Sequence, residues 1–189
     1  TYMEIPTFET AKKILPVPIW AGHEKEIEMY WKAWEIGVGN IRNPQPGSGF
    51  VSPYIDTAYN GNIFMWDSAF ILMFARYGER FFPFQKTLDN FYAKQHPDGF
   101  ICREIMANGA DCFERYDPTS TGPNLLPWCE MIYYHQFGDT ERLHKIFPAL
   151  CGYYEWLRLN RTWRNGTYWT SGWGTGMDNM PRVPSEYSM

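Results

Sequence analysis

The chain has 189 residues and a formal net charge of −4, with no run of basic residues. This argues against nucleic acid or an anionic membrane surface as a partner. No apolar stretch reaches the roughly 18 residues that a membrane span requires, and the length suits one domain with a real core.

The first twenty residues read as irregular, because Pro6, Pro16 and Pro18 block long helices. A helix is predicted from about His23 to Val38. Ile27, Tyr30, Trp31, Trp34 and Val38 recur there at three- and four-residue spacing, and Gly37, Gly39 and Asn40 end it. Asn43 to Pro53 is a Pro/Gly/Ser loop. The next helix runs from about Trp66 to Tyr77 and stops at Gly78. It is apolar nearly all round, so it should be buried on most sides. A third helix covers about Phe82 to Gln95, with Pro83 in its first turn. A long connection follows, His96 to Thr121, of a length usually tied to function.

A fourth helix spans about Leu125 to Phe137 and is stopped by Gly138. Asp139 caps a fifth that runs to about Asn160. Gly166 to Arg182 is loop, with at most a short strand at Thr167 to Thr170. There is no series of strands and no βαβ alternation. Helical hairpins alternate with long loops, which predicts an all-α toroid with its loops gathered at one end.

Rings are the compositional oddity: 9 Trp, 13 Tyr and 13 Phe, or 19% of residues. Most belong in a core, and a minority are expected as stacking platforms for the apolar C–H faces of sugars. The four cysteines, at 102, 112, 129 and 151, lack zinc-ligand spacing and are expected as buried free thiols; a Cys102–Cys112 bridge is the alternative. No cofactor or metal is called for. The chain begins at Thr1 without a leader segment, so a periplasmic or secreted destination would rest on a signal outside it.

Four loop segments concentrate polar and aromatic residues. In Phe64-Met65-Trp66-Asp67-Ser68, Asp67 is either a helix cap or an acceptor for sugar hydroxyls beside Trp66. In Gln95-His96-Pro97-Asp98-Gly99-Phe100-Ile101-Cys102-Arg103-Glu104-Ile105, a turn precedes Arg103 and Glu104. Those two form a surface ion pair or, in a cleft, grip substrate hydroxyls. Asn124, in Gly122-Pro123-Asn124-Leu125-Leu126-Pro127-Trp128, caps a helix or binds substrate. The last segment, Ser171-Gly172-Trp173-Gly174-Thr175-Gly176-Met177-Asp178-Asn179-Met180-Pro181-Arg182, sets one carboxylate behind indole rings. Burial against rings keeps an acid protonated, as donation to a glycosidic oxygen requires.

Taken in this order, the four segments resemble the catalytic domain of the six-hairpin glycosidases, the clan of glycoside hydrolase families 63 and 37. That clan includes processing α-glucosidases, trehalases and mannosylglycerate hydrolases. The resemblance covers about Asn60 to Arg182. It implies an (α/α)6 toroid of which about the first half is present here, with residues 1–21 an irregular N-terminal segment and 22–189 a partial catalytic domain. It also implies hydrolysis of a terminal α-linked sugar, gluco- or manno-type, with inversion.

Asp178 matches the family's general acid. Trp66, Asp67, Arg103, Asn124 and Arg182 match the family's substrate-binding positions, and Glu104 and Trp173 join them as substrate-binding candidates from their own segments. The family's general base is a Glu far downstream, and Glu186 does not occupy its place. The expected partners are an oligosaccharide or small glycoside and the missing C-terminal half of the barrel, as a segment of the same gene or a partner chain. Without that half the chain is expected to expose apolar helix faces, to lack stability alone, and to show no activity. The alternative from another class is a non-catalytic carbohydrate-binding or scaffold protein with a degenerate cleft.

Overall fold

The computed structural model describes residues 2–56 and 60–175. Among them the architecture is all-α. Helix α1 spans Phe8–Lys12, α2 Glu24–Gly39, α3 Met65–Ala75, α4 Thr87–Ala93, α5 Leu126–Phe137 and α6 Thr140–Asn160. Two antiparallel pairs accompany them: β1 (Ile41–Arg42) with β2 (Tyr54–Ile55), and β3 (Ile63–Phe64) with β4 (Glu104–Ile105).

The segment expected to be irregular carries α1. Thr7 accepts from the Thr10 amide at 3.3 Å, which is enough to start one turn between Pro6 and Pro16. The predicted third helix is shorter than its pattern. Pro83 sits at ψ 71°, outside the helical range, so residues Phe84–Lys86 form a 3-10 turn before α4. The helix stops ahead of His96, which precedes Pro97 and is pushed out of the α region. The strand expected at Thr167 to Thr170 reduces to a single bridge, Thr162 to Tyr168. All four cysteines are free. Cys102 and Cys129 are buried as expected, whereas Cys112 and Cys151 are exposed. Cys151 lies on α6 away from the stripe of Ile146, Tyr153, Trp156 and Leu157 that faces the core.

The core gathers Trp34 and Val38 of α2, Leu72 and Ala75 of α3, Leu88 and Phe91 of α4, and Tyr153 and Trp156 of α6. Helix α3 departs from expectation. Met65, Ser68, Ala69, Leu72 and Ala75 are buried, at helical spacing. Its other side meets solvent, where Trp66, Phe70 and Trp128 of α5 form a row with centroids 5.2 and 5.7 Å apart. The described neighbours α2, α4 and α5 leave this side open, so a mostly apolar sequence is left half wrapped.

Gly138 and Asp139 alone join α5 to α6. Gly138 takes the left-handed conformation that ends α5 (φ 67°), and Asp139 accepts from the Arg142 amide at 2.9 Å to start α6. Arg142 then reaches back. It donates to both oxygens of buried Glu130 on α5, at 2.7 and 2.8 Å, and to Asp89 on α4 at 2.9 Å.

Glu79, in the turn after α3, accepts from the Gln85 amide at 3.3 Å. Burial pushes its carboxyl up to about 7 from an ordinary 4.5, against the pull of the Gln85 amide and of Arg142. A carboxyl raised on folding penalises the native state as pH climbs from 4.5, with the full penalty above 7. Glu79→Gln should therefore stabilise the protein at pH 8 by about 1–2 kcal/mol, after discounting the shift for its partial exposure. The gain should vanish near pH 4.5. Urea midpoints of both proteins across that range test this, and a gain independent of pH would contradict it.

Candidate active site

The β3–β4 pair assembles the site. Phe64 pairs with Glu104, and the Met65 amide donates to the Arg103 carbonyl at 2.8 Å, so the first turn of α3 starts beside Arg103. Trp66 and Asp67 occupy that turn. The helix is capped at Phe64, so Asp67 is its third residue and not its cap. Arg103 is fixed from three sides. Its amide donates to Ser120 O at 2.9 Å, its Nε to Thr119 O at 2.6 Å, and its guanidinium lies 4.4 Å from the Phe113 ring centroid.

These residues and the 3-10 turn Trp173–Thr175 enclose a cavity of about 240 Å3, lined by Trp66, Asp67, Arg103, Gly122, Pro123 and Trp173 among others. The two loops meet at glycines. A Cβ on Gly122 would run into the carbonyl oxygen of Gly174, and a Cβ on Gly174 would lie 2.6 Å from Thr170 Oγ1. The Gly174 amide donates to Ser171 Oγ at 2.9 Å, which pins the turn that carries Trp173.

The cavity has indole rings, half exposed, at Trp66 and Trp173. Asp67 is the one carboxylate among its described lining residues. Desolvation raises the Asp67 carboxyl above its usual range; its own backbone amide and Arg103 oppose this, and Glu104 adds to it. An acceptor and a guanidinium whose NH2 groups remain as donors, set between rings, suit a small polyhydroxylated ligand. The volume lies below the roughly 300–1,000 Å3 of sites for drug-sized molecules, as a single sugar ring would need.

A family model described as the mannosylglycerate hydrolase MGH1-like glycoside hydrolase domain matches residues 60–188. The chain belongs to this family. Neither the curated proteins nor the solved structures gave a match.

Within this glycoside hydrolase domain, the residues singled out from sequence divide into four groups. Trp66, Asp67, Arg103 and Trp173 converge on the cavity. Glu104 is buried in β4 and does not line it; its Oε1 accepts from Asn62 Nδ2 at 2.7 Å, and no ion pair links it to Arg103 among the described residues. Asn124 lines a second cavity and caps nothing, because α5 starts at Leu126 from Leu125. Asp178 and Arg182 lie outside the described residues.

Sequence reasoning missed Arg161, which is 4% exposed. Its guanidinium is sandwiched 4.9 Å from the Trp156 ring and 4.7 Å from the Trp169 ring. It donates to Asp117 O at 2.9 Å and Ser120 Oγ at 3.0 Å. In the sequence it stood out only as the middle of an Asn-Arg-Thr tripeptide.

Proposed function

We propose that this glycoside hydrolase domain cleaves a terminal α-linked sugar, gluco- or manno-type, with inversion at the anomeric carbon, and that Asp178 donates the proton to the departing oxygen. The observation that carries this reading is the convergence of Trp66, Asp67, Arg103 and Trp173 on one sugar-sized cavity from segments far apart in the chain. Trp173 belongs to the same loop sequence as Asp178. The family's description as mannosylglycerate hydrolase-like favours the manno-type sugar.

In this mechanism the rings of Trp66 and Trp173 take the C–H face of the terminal sugar. Asp67 accepts from its hydroxyls and Arg103 donates to its oxygens. Arg182, which follows Asp178 and Pro181 in the sequence, is assigned to substrate binding in this reading. Glu104 supports the site through Asn62 and does not touch the sugar. Inversion also requires an ionised carboxylate about 6.5–9.5 Å from the acid, with a water between them. In this reading Asp67 is engaged with the sugar's hydroxyls, so that carboxylate is another residue.

The test is the stereochemistry of turnover. With the chain joined to the rest of its barrel, and α-mannosides and α-glucosides as substrates, proton NMR should record the β-anomer as the first product. An α-anomer would overturn inversion. Binding without any hydrolysis would favour the degenerate-cleft alternative.

A further inference from the structure

A second cavity, of about 460 Å3, shares Gly122 and Pro123 with the first. Three rings, Tyr154, Tyr168 and Trp169, line it together with Leu157, and Asn124 and Arg161 are among its polar lining residues. Two observations mark it as built for a ligand. Asn124 Oδ1 is buried with no hydrogen-bond partner, and a buried acceptor left unpaired is costly. Trp169 is held in place from two directions: its amide donates to Arg161 O at 2.9 Å, and the Arg161 guanidinium covers its ring. Arg161 is itself anchored through Asp117 and Ser120, so the ring is presented by a rigid support.

We infer that this cavity holds the second sugar ring of the substrate, the one that departs when the terminal sugar is cleaved. This rests on the hydrolase reading above and extends it. A neutral sugar fits the chemistry on the walls. One of its hydroxyls donates to Asn124 Oδ1, and its C–H face lies on an aromatic ring. Two indole faces and the oxygens of Asp117, Ser120 and Asn160 already meet most of the Arg161 guanidinium, and its Nε, buried without a partner, is a single donor that a neutral sugar oxygen can satisfy. The shared wall at Gly122 and Pro123 places the two cavities side by side, as the two halves of a disaccharide require.

Two substrates separate the cavities: an α-linked disaccharide, which fills both, and the matching glycosyl fluoride, whose leaving group fills only the first. The ratio of kcat/KM for disaccharide over fluoride should fall about fivefold in Asn124→Ala and about tenfold in Trp169→Leu. A ratio unchanged in both variants overturns the inference. If the wild-type protein, joined to the rest of its barrel, cleaves neither substrate, the hydrolase reading fails on its own, and saturation-transfer NMR with the disaccharide decides the cavity. Saturation of the reducing-end ring, lost in Asn124→Ala, upholds it. Equal signals in both proteins, or none in either, overturn it.

Discussion

Asp178→Asn in the complete enzyme should lower kcat for an α-linked disaccharide by about 10^2- to 10^4-fold, the range that a positioned general acid contributes. The amide keeps the size of the carboxyl but has no proton to give up. The loss should depend on the leaving group. A fluoride or a dinitrophenolate departs as a stable anion and needs little help, so the same variant should retain most of its turnover on those substrates. KM should change little, because the proposed mechanism has Trp66, Asp67 and Arg103, and not the acid, hold the sugar. Steady-state kinetics on three leaving groups of graded basicity measure this. Near-normal turnover of the disaccharide would end the assignment of Asp178, and a loss equal for all three would assign it some other part.

Gly122→Ala should damage both activity and stability. Gly122 does not occupy the left-handed region, so its backbone would accept alanine. The obstacle is the carbonyl of Gly174, which the new methyl would strike. Backbone cannot rotate away as a side chain can, so the two loops must part. Trp173 rides on one loop and Pro123 and Asn124 on the other. A misplacement of about 1 Å in a substrate-positioning group can cost about 10^2-fold, so kcat/KM should fall at least about tenfold. Stability should drop by about 1–3 kcal/mol through overpacking. Gly39→Ala is the control, since nothing lies within 4 Å of a Cβ there. Thermal unfolding and kinetics of both variants test the idea, which wild-type behaviour of Gly122→Ala would refute.

Where side-chain period, capping and turn chemistry agreed, the sequence was readable. Helices α2, α5 and α6 begin and end within a residue or two of their patterns; at the junction of α5 and α6, Gly138 and Asp139 are unambiguous local signals. The glycoside hydrolase family was readable for a different reason: its motifs are short, ordered and specific. The wrapping of α3 was not readable. Hydrophobicity all round says that a helix prefers company, but not which neighbours are present, and here one side of α3 meets solvent. The places of Glu104 and Asn124 were equally hidden. Strand pleating turns neighbours Arg103 and Glu104 to different environments, and one residue of shift at the start of α5 takes Asn124 off the cap and into another cavity. Arg161 left no local trace, since its partners come from Asp117, Ser120 and two tryptophans.

The Arg142 cluster has a consequence for how the chain finds its register. Its partners, Glu130 and Asp89, sit on separate helices, and the nearer helix is joined to α6 by two residues only. Apolar stripes alone tolerate a slip of one turn between helices, because leucine meets leucine either way. A slip here would strand Glu130, 1% exposed on its side chain, without its cation, and breaking such a pair costs about 3–5 kcal/mol. The guanidinium thus acts as an indexing pin. Misaligned dockings of the hairpin are penalised, and only the arrangement that also sets the end of α6, and with it Arg161 and the aromatic loop beyond, escapes the penalty.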